Sequence, residues 1–205
     1  MVIASHVVFA AYGFWPPNDP RGSWSDKVWA EHLKRFGDSK KVSTRKSIAH
    51  QPFDRKLRND IDAALKYPKV SLNESQRSIV ADAIKNICET ITLRLYALAV
   101  LPDHVHFVPQ RHRYEVEALI GLFKRSASRA LITEGLHPLQ SFANKDGKRP
   151  SLWVEGGWKR YLETPAEIQG AMDYVHTNPA KARLAPQHYD WLTPLWEESP
   201  RGRGG

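Results

Sequence analysis

Two short apolar runs separated by only three residues set the first constraint on the fold. Leu93–Val100 and His104–Val108 flank the tight turn Leu101-Pro102-Asp103, and their closeness implies an antiparallel hairpin. Outside this hairpin the apolar period changes. Ile79, Val80, Ala83, Ile84, Ile87 and Ile91 recur at helical spacing and predict a helix from Asn73 to about Thr90. Leu119, Leu122, Phe123, Ala127 and Leu131 predict a second helix over about Tyr114–Thr133. The β-branched and aromatic residues of Val2–Phe14 read as a strand, not a signal peptide, and Pro16, Pro17 and Pro20 break it. A short strand near Trp158–Leu162 precedes the last helix. There Thr164 is the N-cap, Pro165 suits the first turn and Glu167 completes a capping box. That helix is expected to stop near Asn178-Pro179, because the residue before proline avoids the helical region.

The resulting order is strand, insertion, helix, strand, strand, helix, strand, helix. It predicts an α+β class: a ferredoxin-like (RRM-like) sandwich with a mainly antiparallel central sheet and helices on one face. One domain is expected over residues 1–200. It carries a basic insertion at about 24–70 with one or two short helices, one near Asp54–Leu65, and ends in a flexible tail at 201–205. His137–Pro150 reads as a loop.

The chain has 205 residues and a net charge of +8. Such an excess favours a polyanion, most commonly nucleic acid, although many basic proteins bind nothing anionic. The single cysteine, Cys88, excludes an intrachain disulfide and a cysteine-rich zinc site. It lies within the first helical stripe, reads as a core residue, and fits a reducing cytoplasm. No stretch approaches the length of a membrane span, so no membrane partner is expected.

The segment Leu-Pro-Asp-His-Val-His-Phe, residues 101–107, carries the chemistry. Side chains alternate along a strand, so His104 and His106 share one face while Val105 enters the other. Two imidazoles side by side suit one divalent metal, but two ligands make a weak site and a further group must arrive from elsewhere. On the last helix Tyr174 and Asn178 lie four residues apart, hence on one face. A phenol beside an amide, following a metal-competent strand, suits phosphoryl transfer. The phenolate attacks phosphorus, the metal polarises the phosphate and Asn178 supplies an oxygen ligand. An incidental histidine pair and a half-buried packing tyrosine are the bland alternatives. Lys124, Arg125, Arg129, Lys159 and Arg160 are candidate phosphate contacts, with a solvated helix face as their other reading. Trp153 and Trp158 offer base stacking or core packing. His176, two residues from Tyr174, points to a different helical face.

Leu-Pro-Asp-His-Val-His resembles the His-hydrophobe-His motif of the HUH nucleases. Asp173-Tyr174-Val175-His176-Thr177-Asn178-Pro179-Ala180-Lys181 resembles the tyrosine helix of the REP-associated tyrosine transposases. The likeness extends to Tyr12-Gly13-Phe14-Trp15, Asp19-Pro20-Arg21-Gly22-Ser23 and Trp158-Lys159-Arg160-Tyr161-Leu162, and loosely to Asp190-Trp191. It implies an HUH nuclease type of fold and a tyrosine that attacks a single-stranded or hairpin DNA phosphate, leaving a 5′-phosphotyrosine and a free 3′-hydroxyl. It also implies a magnesium or manganese ion held by two histidines and a polar residue one turn after the tyrosine. Carried over, these are Tyr174 as nucleophile and His104, His106 and Asn178 as ligands, in a bacterial cytoplasmic protein that works at the nucleoid. Pro109 departs from the pattern, since it cannot donate a ladder hydrogen bond, and leaves the strand's length open. A relaxase or replication-initiation nuclease on the same fold is one alternative, and a non-catalytic single-strand-binding module is another. Monomer and homodimer remain equally compatible with the sequence.

Overall fold

Alternation along the strands assigns every apolar residue of the sheet to one of two faces, and both faces are covered. The structure, a computed structural model, describes residues 1–23, 25–28, 30–42 and 52–195. The chain runs β1 (Ala4–Ala10), α1 (Glu31–Lys34), α2 (Arg55–Ala63), α3 (Glu74–Ile91), β2 (Leu95–Val100), β3 (His104–Pro109), α4 (Val116–Thr133), β4 (Trp158–Leu162) and α5 (Pro165–Lys181). A short 3-10 turn, Gln140–Phe142, interrupts the expected loop before β4. The strand order is β2-β3-β1-β4, with each neighbouring pair antiparallel. The anticipated hairpin is β2–β3, closed by a 2.8 Å hydrogen bond from the Leu101 N–H to the His104 carbonyl. The first strand is shorter than its apolar stretch, because the chain turns at Tyr12-Gly13, where Gly13 takes φ of 85°.

On one face Val7 sits opposite Phe107 and Phe9 opposite Val105. These residues join the main core with Ile84 of α3 and Leu119, Phe123 and Leu131 of α4. The Phe107 and Phe123 rings meet edge to face at 5.0 Å. On the other face Ala4, Ala97, Ala99, Val108 and Leu162 pack against Ile168, Ala171, Met172 and Val175 of α5. The α+β class and the antiparallel sheet are therefore as expected, and so is the placement of α3 and α4. The expectation of helices on one face does not extend to α5, which forms a third layer. The physical reason lies in β2: all six of its residues are buried, so both its faces need a cover.

The local signals place the helices well. Asn73 caps α3 through a reciprocal box with Gln76, and Thr92 ends it in the left-handed region at φ 58°. Asp54 caps α2 through the Leu57 N–H, and Thr164 caps α5 through the Glu167 N–H. Two prolines bear on where elements end. Pro109 completes β3 beside a register shift in β2 between Leu95 and Ala97, so the missing donor falls at the strand's last residue. Pro179 does not stop α5, which continues to Lys181. The turn closes instead through Ala182 N–H to the Asn178 carbonyl at 3.0 Å and Leu184 N–H to the Pro179 carbonyl at 2.9 Å. Cys88 is buried in the main core, and burial pushes its thiol up to about 12.

Within the insertion both short helices are present, while residues 43–51, including the basic pair Arg45-Lys46, lie outside the described residues, as does the tail at 201–205. A buried ion network ties the segment after β1 to α2. Asp19, with no exposed side-chain surface, accepts from Arg21 Nη2 at 2.8 Å and faces Arg58 Nε at 3.2 Å. Arg58 in turn pairs with Asp62, which also holds Lys69. Removing one partner of such a network strands the other charge in a low dielectric. Asp19→Ala should cost about 3 kcal/mol in denaturant unfolding, and a loss under about 0.5 kcal/mol would show that water reaches Arg58 readily.

Candidate active site

Three elements bring four aromatic rings together beneath α5. Alternation places His104 and His106 of β3 on the α5 face, opposite Ala10 and Val8 of β1. Their ring centroids are 4.6 Å apart. His6, two residues before Val8 on β1, points to the same face and stacks on His106 with centroids at 5.3 Å. From α5 the Tyr174 ring closes the group edge-on, 5.6 Å from His6 and 5.7 Å from His106. Trp158 of β4 meets His6 from the side at 5.3 Å. Tyr174 keeps 46% of its surface exposed while its ring is held edge-on against the two imidazoles. The Lys181 ammonium, two helical turns on, sits 4.3 Å from the Tyr174 ring centroid.

The histidines are oriented by hydrogen bonds through one nitrogen each. His104 Nδ1 lies 2.7 Å from Asp103 Oδ1, and His106 Nδ1 lies 3.0 Å from His6 Nε2. Neither Nε2 has a hydrogen-bond partner among the described residues, so two imidazole nitrogens remain available on one face. Asn178 is buried at 6% exposure, one turn beyond Tyr174, and its Nδ2 has no partner. Its amide is thus uncommitted to the protein's own hydrogen bonds, an uncommon state for a buried group. Two bare imidazole nitrogens on one face suit a divalent ion, and Asn178 would join them only through its Oδ1, since the orphaned Nδ2 is a donor. Among the described residues no group of three or more His, Cys, Asp or Glu is arranged to hold a metal.

The electrostatics keep the inner imidazoles neutral. Burial first, then the Arg160 charge, pushes His6 down to about 4. Burial, followed by His104, His6 and Lys181, holds His106 well below the ordinary imidazole range. Burial pushes the Asp103 carboxyl up, but its hydrogen bond to His104, the His104 charge and the positive charge of Arg21 outweigh this and leave it lowered.

The five basic candidates separate by face. Arg160 pairs with His6 across β1–β4 and so lies on the histidine side, exposed and 3.0 Å from Glu167. Lys159 points to the other side and pairs with Glu117 of α4. Arg125 and Arg129 are exposed on α4. The Lys124 ammonium turns inward, 2.6 Å from the Val154 carbonyl and in contact with that of Gly156, and burial lowers it to about 8. Trp153 is a core residue, its Nε1 donating at 3.1 Å to the Lys124 carbonyl and the Ser128 hydroxyl. His176 is exposed and stands apart from the cluster.

Three neighbours of the site were absent from the expected set. His6 is a polar residue in an apolar strand, but its contact depends on strand pairing. Asp103 adjoins His104 in sequence, and Lys181 falls seven residues after Tyr174, so both carried a legible signal.

A folded-state pKa below the unfolded value makes the unfolded chain take up protons first as the pH falls. The protein should therefore lose stability as the pH drops from about 6.5 towards 4, by on the order of 3 kcal/mol for His6 alone. Denaturant unfolding across that window measures it, and a flat profile would mean that these imidazoles titrate as exposed groups.

Residues 60–162 of the chain match a family described as Transposase IS200 like, a span that contains both strand histidines and ends before α5. A Haemophilus influenzae protein named as a REP-associated tyrosine transposase is 26% identical over 112 residues, covering 53% of this chain and 62% of that relative. A solved REP-associated tyrosine transposase bound to a REP hairpin superposes with a TM-score of 0.46 and 11% identity, over 97% of this chain and 88% of that one. A Deinococcus radiodurans protein described as a transposase gives 0.38 and 14% identity, over 86% and 92%.

Proposed function

The chain belongs to the IS200-like transposase family, and on that premise we propose that it is a metal-dependent single-strand DNA endonuclease and strand transferase acting through Tyr174. The observation that carries this reading is the position of Tyr174, half-exposed on α5, with its ring 5.7 Å from the ring of His106. A packing tyrosine has no need of two imidazoles with unused nitrogens beside it.

In the proposed reaction the Tyr174 oxygen bonds to the scissile phosphorus after its proton has passed to water. The phosphorus–O3′ bond breaks, and the departing oxygen takes up a proton to become a 3′-hydroxyl. The strand is left as a 5′-phosphotyrosine, from which a second 3′-hydroxyl displaces the tyrosine to join strands. His104, His106 and Asn178 would hold a magnesium or manganese ion, which when bound supplies Lewis-acid polarisation of the phosphate. Asp103 and His6 orient the two imidazoles through their Nδ1 atoms. The Lys181 ammonium beside the Tyr174 ring would favour the negative charge of an arriving phosphate.

Hairpin or single-stranded DNA is the proposed substrate. A REP hairpin is what the solved transposase named above binds, and repeat association is what the Haemophilus relative's name records. A protein acting on such repeats works at the bacterial nucleoid. The competing reading, a module that binds single strands without cutting them, requires the same sheet but not the ring cluster.

Tyr174→Phe keeps the ring and its packing and loses only the hydroxyl. It should abolish the denaturation-resistant adduct with labelled hairpin DNA and manganese, while mobility-shift binding stays within about two-fold, since only one hydrogen-bonding group is lost. His104→Ala should also lose cleavage, with partial rescue by excess manganese. A persisting adduct in Tyr174→Phe would move the nucleophile elsewhere, and an adduct-free wild type that still binds hairpin would favour the binding module.

The facing of the basic residues gives a separate expectation. Arg160→Ala should weaken hairpin binding and reduce the salt slope of log K by about 1, as expected for one lost phosphate contact. Arg129→Ala, on α4, should leave that slope unchanged. Equal effects of the two would place the DNA across both faces of the sheet.

A further inference from the structure

We propose that His6 is a positioning residue that fixes His106 in the Nδ1–H tautomer, so that His106 presents an unprotonated Nε2 to the metal. The inference rests on the metal-binding reading of His104 and His106 given above. A neutral imidazole carries one ring proton, and a nitrogen that carries it has no lone pair to give. His104 raises no ambiguity. Its Nδ1 faces the Asp103 carboxylate, which only accepts, so in the neutral ring the proton lies on Nδ1 and Nε2 is bare.

His106 has no carboxylate. Its Nδ1 faces His6 Nε2 at 3.0 Å, a contact between two groups each able to donate or accept. One proton serves the pair. Were it on His6, the neutral His106 would carry its own proton on Nε2 and be closed to a metal. Were it on His106 Nδ1, His6 Nε2 accepts and His106 Nε2 is open. Only the second arrangement accompanies metal binding, and it requires an acceptor where His6 stands. No other partner for His106 Nδ1 exists among the described residues. The surroundings hold His6 in place for this role. It is 9% exposed, edge-on to Trp158 at 5.3 Å and 62° from the plane of Tyr174. The His6–His106 stack is tilted by only 26°, so the paired nitrogens keep their alignment. Partners of this kind typically contribute 10- to 100-fold to metal affinity, about what is expected here.

The test uses two substitutions. His6→Phe keeps the ring and removes the acceptor. His6→Gln places a side-chain amide oxygen where Nε2 stood. Long-range 1H–15N correlation spectra of the metal-free protein should show His106 as the Nδ1–H tautomer in wild type and in His6→Gln, and moved towards Nε2–H in His6→Phe. Calorimetric titration with manganese should show affinity weakened about 10- to 100-fold in His6→Phe and largely restored in His6→Gln. A residue that merely fills space would shift neither the tautomer nor the Gln-versus-Phe contrast. Manganese binding that His104→Ala abolishes and His6→Phe leaves untouched overturns the proposal alone. Manganese binding that His104→Ala does not weaken overturns the metal reading and the proposal together. Should His6→Phe not fold, the wild-type spectrum decides, since an Nε2–H tautomer at His106 overturns the assignment.

Discussion

The interior position of β3 governs the rest of the structure. This strand is hydrogen-bonded to β2 on one side and to β1 on the other, and alternation along it serves two separate tasks. Val105 and Phe107 anchor the main core under α3 and α4, while His104 and His106 face α5. A shift of one residue in register would exchange the two sets and place imidazoles in the apolar core. The same packing that stabilises the domain thus fixes the direction of the histidines. Such a platform suits chemistry that depends on charges being in place before the substrate arrives.

Most of this was legible in the sequence where a signal is local. The His-x-His spacing fixed a common face without knowledge of any partner strand. Thr164 with Glu167 announced a helix start that the structure places where expected. What escaped was set by tertiary pairing. His6 belongs to the ring cluster only because β1 lies against β3, a contact between residues 100 positions apart. The side of the sheet taken by α5 depended on β2 being buried on both faces, which its near-continuous apolar run hinted at but did not assign to a helix. Pro179 misled because the rule about residues before proline is a steric preference that a nearly finished helix overrides. Lys124 resembled its neighbours in sequence, yet the loop after Trp153 offers it two carbonyls and turns it inward.

The basic segment after β1 is more than a decorated surface. Arg58 and Asp19 are buried together, Asp19 holds Arg21, and the charge of Arg21 acts on Asp103, which orients His104. The first two steps are ion pairs, and the third is a through-space effect of charge. Taken in order they lead from α2 to the hairpin turn that carries Asp103.

The two cores are unequal, and the division of the site between them has a mechanical consequence. The histidines are built into the sheet, whereas Tyr174 rides on a helix that meets the sheet through small side chains such as Ala97, Ala99 and Ala171. A hydrogen-bonded return of the chain, with Gln187 on Val100 and Thr193 on Leu95, straps the β2 edge beyond the helix. In the proposed intermediate the severed DNA end would be tethered to that thinner layer. Tension along the strand would then load α5 and its strap, leaving the main core unstrained. The enzyme would have a grip that yields before its platform does.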